Sequence, residues 1–208
     1  MNTFGVLHKA TLLLGPTSAG KTPLGDMIQA RGLWGAEYLH FDFGENLRDI
    51  VAREEPDDVV SRADVDLLRH MLETGALLED EHFPIARRIL LSFLKRHEAP
   101  PQTRVLLNGL PRHVGQATAI EATLDVREVI QMRCSAETVI ARIAADTGGD
   151  RTERTDDDLE AVTRKLAIFQ QRTAPLVEHY AARGTKICTI EVTAEMTAEH
   201  MWGALRTD

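Results

Sequence analysis

Eight residues near the start of the chain, Gly15-Pro16-Thr17-Ser18-Ala19-Gly20-Lys21-Thr22, carry the clearest chemistry in the sequence. Two glycines bracketing four residues, followed at once by a lysine and a hydroxyl, satisfy G-x-x-x-x-G-K-[ST], the pattern of a phosphate-binding loop. Successive backbone N–H groups in such a turn, with the positive end of the helix behind it, converge on one point and suit a polyphosphate. Lys21 is then placed to reach the terminal phosphates, and the Thr22 hydroxyl to ligate a magnesium ion. The bland alternative is a Gly/Ser-rich turn that merely caps a helix. With strand, loop, Lys-Thr pair and helix all in place, the expectation is binding of a nucleoside triphosphate.

That loop must be held by a strand in front and a helix behind, and the flanks supply both. Thr11-Leu12-Leu13-Leu14 reads as a buried strand, and Leu24, Met27 and Ile28 recur at helical spacing. Arg31-Gly32-Leu33-Trp34-Gly35 stops that helix, and Glu37–Phe41, ending at Asp42, reads as a second strand. Helices are expected over 44–54, around Val65–Leu72 up to Gly75, and over 81–97 up to the Pro100-Pro101 pair. Arg104–Leu107 is the third strand, running into Asn108-Gly109. A helix around 116–124, a strand near 129–133 and a helix over 135–145 follow. Residues 156–182 read as one long helix, with Pro175 as the place for a bend, and a strand over 186–192 and a terminal helix close the chain. Strands alternating with helices argue a parallel sheet covered on both faces, with ligands gathered outside the C-terminal strand ends.

Composition narrows the function classes. The 208 residues fit one domain, or one domain with a small insertion. With 32 acidic against 24 basic residues the formal charge is −8, the wrong sign for a nucleic-acid partner. Cys134 and Cys188 are too few for a disulfide framework or a four-thiolate zinc site and read as reduced, buried thiols in a cytoplasmic protein. The eight histidines show no metal-ligand spacing. No apolar run approaches the ~20 residues that span a bilayer, and no signal-peptide pattern opens the chain.

Further clusters follow in order. Phe43-Gly44-Glu45-Asn46-Leu47-Arg48 resembles T-G-D-x-L-R, and Gly75-Ala76-Leu77-Leu78 resembles G-x-L-V. Asn108-Gly109-Leu110-Pro111-Arg112, with Gln116-Ala117 behind it, resembles D-G-F-P-R followed by Q-A. Arg142, Arg154, Asp156-Asp157 and Thr173-Ala174-Pro175-Leu176 with Tyr180 complete the set. In this order, over roughly residues 10 to 200, the chain resembles the nucleoside monophosphate kinases, the adenylate kinase family.

The resemblance implies a three-layer P-loop NTPase fold with a parallel sheet of about five strands. Its core would comprise residues 1–42, 79–145 and 156–208, with a helical acceptor-binding insertion over 43–78 and a short lid over 146–155. The lid has too few residues for an extra sheet and no cysteine for zinc. The implied reaction is transfer of a phosphoryl group from ATP to a nucleoside monophosphate, AMP-like, giving two nucleoside diphosphates with magnesium. The loop Gly15–Thr22 would hold ATP, and Arg142 would stack on its adenine through the flat guanidinium face. Arg48 and Arg112 would grip the acceptor monophosphate, Gln116 and the Leu78 carbonyl would meet its base, and Gly109 and Phe43 would lie beside it. Arg151, Arg154 and Lys165 would stabilise the charge on the transferring group, with Asp156 and Asp157 orienting the arginines. The implied partners are these nucleotides alone, with no nucleic acid, no membrane and a monomeric chain.

Four positions depart from the family pattern. Asn108 stands where an aspartate holds magnesium through water, leaving Asp42 and Glu45 as candidate carboxylates. Phe43 replaces a threonine that reads the acceptor base. Lys165, beside Arg164, replaces an arginine and loses its fork. Asp146 stands where a second lid arginine is usual, and Arg151 is the candidate to compensate. Asp42 also opens a rival reading, a P-loop kinase similar to shikimate kinase or chloramphenicol phosphotransferase, in which this aspartate serves a hydroxyl acceptor as base or metal ligand. A third reading is a nucleotide-binding protein that lost turnover through Asn108.

Overall fold

The computed structural model describes residues 7–53, 56–147 and 159–206. Its frame is a five-stranded sheet: β1 (His8–Leu14), β2 (Tyr38–Asp42), β3 (Arg104–Asn108), β4 (Leu124–Arg133) and β5 (Lys186–Glu191). Every pairing is parallel, in the order β2-β3-β1-β4-β5. Alternation along the strands sorts side chains to two faces. Leu12 and Leu14 of β1 and Val105 and Leu107 of β3 enter one buried cluster, while Leu13 and Leu106 enter the other.

Helices cover both faces. On one lie α1 (Lys21–Arg31) and α9 (Ala198–Leu205), contributing Leu24, Ile28, Met201 and Leu205. On the other lie α2 (Phe43–Arg53), α3 (Arg62–Thr74), α4 (Phe83–Arg96), α5 (Val114–Ile120) and, after α6 (Ala136–Ala145) and α7 (Leu159–Ile168), α8 (Leu176–Ala181). The three layers expected from the strand–helix alternation are therefore present. Helices α2 and α3 share the main core through Leu47, Ile50, Val65, Leu68 and Met71. Local chemistry sets their ends: Ser61 and Asp64 form a reciprocal capping box at the start of α3, and Gly75 closes it in the left-handed conformation.

The long helix expected over 156–182 is instead divided. Its described part runs as α7, a π-helical turn over Phe169–Thr173, and then α8. Pro175 explains the break: it has no N–H to donate and its ring crowds the preceding turn. Widening that turn lets the Ala174 N–H donate to the Phe169 carbonyl at 2.8 Å. None of the helices among the described residues is long and apolar enough to cross a membrane.

The sheet register brings the C-terminal strand ends together beneath the loop. Asp42 at the end of β2 pairs with Asn108 at the end of β3, and Asn108 pairs with Leu13 of β1, two residues before Gly15. Parallel strands in this register carry chemistry-bearing side chains from sequence-distant segments to one rim.

Candidate active site

The phosphate-binding loop leaves β1 at Gly15 and enters α1 through Gly20, which caps the helix with φ 92°. A side chain at Gly20 would be strained in that conformation and would also press on an Arg142 guanidinium nitrogen, so glycine is required twice over. Ser18 holds a positive φ of 59° without that freedom. Lys21 folds over the loop, its Nζ donating to the carbonyls of Gly15 at 2.9 Å and Pro16 at 2.6 Å. The side chain therefore already lies along the cradle that the sequence assigns to phosphate.

A cavity of about 240 Å³ opens in front of the loop. Gly15, Thr17, Ser18, Gly20, Lys21 and Thr22 form one wall, and the rest of the lining includes Asp42, Phe43, Arg48, Leu78, Asn108, Gly109, Arg112, Gln116 and Lys165. Residues far apart in sequence thus meet around one space. Pro16 and Ala19 belong to the loop but do not line the cavity, and neither do Glu45 or Arg142. Arg151, Arg154, Asp156 and Asp157 lie outside the described residues, as does most of the lid.

Asp42 is the knot at the base of this cavity. Its Oδ2 accepts from the Thr22 hydroxyl at 2.6 Å and from the Asn108 amide at 2.8 Å, and its Oδ1 accepts from the Glu45 N–H at 3.0 Å. Asn108 Nδ2 also approaches Thr22 Oγ1 at 3.2 Å. Of the three groups considered for the metal, the carboxylate beside the loop hydroxyl is Asp42. Glu45 contributes its backbone to Asp42, and its own carboxyl is pushed above the usual carboxylate range by partial burial and by the Asp42 charge.

Arg48 and Arg112 both face the cavity. Burial lowers the Arg112 pKa, and no carboxylate among the described residues pairs with its guanidinium or with that of Arg48. Two cations left without counter-ions in one cleft create a site for an anion. Arg112 is fixed through its backbone: its N–H donates to Gln116 Oε1 at 2.7 Å, and its carbonyl accepts the Thr173 hydroxyl at 2.7 Å.

Gln116 and Leu78, both assigned by resemblance to an acceptor base, are bonded to each other. Gln116 Nε2 donates to the Leu78 carbonyl at 2.6 Å, and His113 Nε2 meets the same oxygen at 3.0 Å. At 1% exposure Gln116 is spoken for at both ends of its amide. Arg142 also differs from expectation. It is 2% exposed, with Nε donating to the Ser18 carbonyl at 2.8 Å and Nη1 to those of Thr193 at 2.9 Å and Met196 at 2.7 Å. It offers no open face to a base; it ties the phosphate loop to the segment after β5.

Sequence reasoning placed Thr173 in a motif without giving it a role at the site, and assigned none to His113, His40 and Asp26. The last two reach the site across the packing of α1 on β2, and their one sequence signal is a glycine inside a helix, Gly25.

With the geometry in hand, comparison with known proteins gives a consistent result. The family model for adenylate kinase matches residues 13–185. The adenylate kinase of Thermus thermophilus is 30% identical over 184 residues, covering 85% of each chain. That of Sinorhizobium medicae is 30% identical over 195 residues, covering 89% of this chain and 92% of the relative. That of Stenotrophomonas maltophilia is 29% identical over 181 residues, covering 84% and 86%.

Two outcomes test this description. Arg142→Leu strands the Ser18, Thr193 and Met196 carbonyls in a dry environment and should destabilise the chain by about 2–5 kcal/mol in denaturant unfolding. Glu45→Gln should stabilise the chain at pH 7–8 by a small amount, under about 1 kcal/mol after solvent screening, as read in denaturant unfolding. Because the folded-state pKa of Glu45 lies above its unfolded value, its ionisation costs stability only at higher pH. The two proteins should therefore converge below about pH 4, where that carboxyl is protonated in both states.

Proposed function

The chain belongs to the adenylate kinase family, and from that premise we propose that it transfers the γ-phosphoryl group of ATP to a nucleoside monophosphate, AMP foremost, in reversible exchange for two nucleoside diphosphates. The observation that carries the acceptor assignment is the pair of guanidiniums, Arg48 and Arg112, lining the cavity opposite the phosphate loop without carboxylate partners among the described residues. A planar guanidinium binds two phosphate oxygens at once, so the pair suits a second phosphate better than an alcohol.

In this reading the main-chain N–H groups from Gly15 to Thr22 hold the ATP tail. Lys21 leaves the Gly15 and Pro16 carbonyls for phosphate oxygens. Arg112, held at its backbone by Gln116 and Thr173, presents the acceptor phosphate, with Arg48 on its other side and Lys165 adding positive charge at the same cavity. A monophosphate acceptor is already an anion, so alignment and charge neutralisation are what the chain must supply. Arg151 and Arg154 complete that neutralisation from the lid, and closure over the nucleotides excludes water, which would otherwise intercept the phosphoryl group.

Adenylate kinases work on ATP with magnesium, and the residues here fit that ion. Thr22 donates its hydroxyl hydrogen to Asp42 at 2.6 Å, which keeps the oxygen lone pairs available to a cation. Thr22 and Asp42 would hold the ion, which would supply positive charge against that developing on the transferring group. Asp42 thus takes on β2 the part that an aspartate on β3 would play, and Asn108 supports it as an amide. With both its oxygens engaged, Asp42 is poorly placed as a general base for a hydroxyl acceptor. Its carboxylate also removes the reason to read Asn108 as a loss of turnover.

Coupled turnover with ATP and each of AMP, CMP, UMP, GMP and small alcohols tests the reading. Diphosphate formation with a monophosphate, AMP first, is expected. Turnover with alcohols alone, or ATP binding without transfer, refutes it. Arg112→Ala should lower turnover by about 100-fold, and Arg112→Lys should recover only part because it loses the bidentate fork. Asn108→Asp sets a second carboxylate against Asp42, where the two cannot both ionise freely. That variant should melt below the parent at pH 8 by about 1–3 kcal/mol without metal, approach it at pH 5, and regain stability with millimolar magnesium.

A further inference from the structure

Behind Asp42 and Asn108 lies a chain of polar contacts that phosphoryl transfer does not use directly. His40 sits in the middle of β2, its side chain 3% exposed and packed against α1. A methyl group at Gly25 would overlap the far edge of the imidazole, so the helix carries a glycine where the ring needs room. Ring Nδ1 lies 2.8 Å from Asp26 Oδ1, on a carboxylate that is 65% exposed, and ring Nε2 lies 3.4 Å from Asn108 Nδ2. Asn108 Nδ2 in turn donates to Asp42 Oδ2 at 2.8 Å. The backbone N–H of His40 is held by Gln29 Oε1 at 2.8 Å, which fixes the ring laterally.

Hydrogen inventory orients this chain. A carboxylate only accepts, so the ring nitrogen facing Asp26 carries the hydrogen and the neutral ring presents a bare Nε2 to Asn108. The Asn108 amide has two hydrogens on one nitrogen: one serves Asp42, and the other is shared between Thr22 Oγ1 at 3.2 Å and Nε2 at 3.4 Å. Turning the amide over would set its oxygen against the Asp42 oxygen and the Nε2 lone pair together. The amide therefore has one satisfied orientation, which Asp42 requires and the bare Nε2 reinforces, whereas a hydrogen on Nε2 would oppose it.

We infer that Asp26 and His40 are positioning residues: through the Nδ1–H tautomer they lock the Asn108 amide with its N–H toward Asp42, which holds that carboxylate on the Thr22 hydroxyl where the magnesium of ATP binds. The inference rests on the metal assignment made above. Asp26 touches neither nucleotide nor metal, and as a mostly exposed side chain it can be changed without disturbing the core.

The test uses the full chain, with Mn²⁺ as a paramagnetic stand-in for magnesium. In chain labelled with ¹⁵N-histidine, His40 should show a protonated Nδ1 and a bare Nε2; the opposite tautomer overturns the inference. By electron paramagnetic resonance, Asp26→Leu should weaken Mn²⁺ binding in the presence of ATP by about tenfold, the low end of the scale for groups that orient a metal ligand, because Asp26 acts on Asp42 only through His40 and Asn108. Asp26→Asn keeps an oxygen acceptor for Nδ1–H and should stay within about twofold of the parent, whereas a general loss of surface charge would affect both variants alike. Metal-free ATP affinity should be unchanged in each. Parent-like Mn²⁺ affinity in Asp26→Leu, with loss in Asp42→Asn, overturns the relay alone. Parent-like affinity in Asp42→Asn overturns the metal assignment beneath it.

Discussion

A nearly buried carboxylate at the end of a strand has to be surrounded by donors, and Asp42 imposes that condition on the whole C-terminal rim of the sheet. The donors come from three directions: the Thr22 hydroxyl from α1, the Asn108 amide from β3 and the Glu45 N–H from α2. One side chain therefore sets the phosphate loop, the neighbouring strand and the first helix of the acceptor side relative to one another. It also accounts for the residue at 108. An aspartate there would face Asp42 as a second acceptor with no hydrogen to give, whereas an amide supplies the hydrogen and leaves one negative charge at the site. The amide at 108 and the carboxylate at 42 are two sides of one arrangement, with the single negative charge on β2 and its hydrogen-bond donor on β3.

The opposite wall obeys the complementary rule. The chain carries a formal charge of −8, yet Arg112 is desolvated without a carboxylate among the described residues, and Arg48 shares its cavity. In a sequence with acid to spare, leaving the desolvated Arg112 unpaired costs stability, while the exposed Arg48 costs little, and a cost of the first kind is expected where a ligand supplies the missing charge. The backbone around Arg112 is held from both sides, by Gln116 and by the Thr173 hydroxyl from the π-helical turn. The irregularity that Pro175 forces on the long helix is thereby adjacent to a residue with a use.

Much of this was legible in the sequence because it is local. The strand before the loop, the Gly-Lys-Thr turn, the helix that follows and the unbroken apolar runs of β1 and β3 all follow from neighbours a few positions apart. The proline-induced division of the 156–182 segment was half legible: Pro175 marked the place, but the widened turn ahead of it depends on which carbonyl the Ala174 N–H finds. The partners of Arg142 were not legible at all. They are backbone carbonyls of Ser18, Thr193 and Met196, and a carbonyl has no residue type to read. The same holds for His40, whose contacts cross from β2 to α1 and to β3. Only the glycine at 25, placed where a helix would ordinarily take a larger residue, hinted that a ring needed space there.

The bond between Gln116 and Leu78 bears on how a base can be chosen by such a cleft. A buried amide satisfied at both ends gains little by meeting a base edge unless its old partner is also provided for. Here a second group stands by, His113 Nε2 at 3.0 Å from the Leu78 carbonyl, which holds that oxygen when Gln116 turns away provided Nε2 carries a hydrogen as well as Nδ1, which faces Asp80 at 3.4 Å. Exchanging the Leu78 carbonyl for a base acceptor is then close to neutral, while a base that offers Gln116 nothing leaves the internal bond intact at no penalty. Phe43, in the wall beside it, adds apolar surface and no edge-reading group. On the proposed acceptor reading, discrimination between bases would turn on small differences around Gln116, whereas a phosphate facing two guanidiniums with no carboxylate partner among the described residues would dominate affinity.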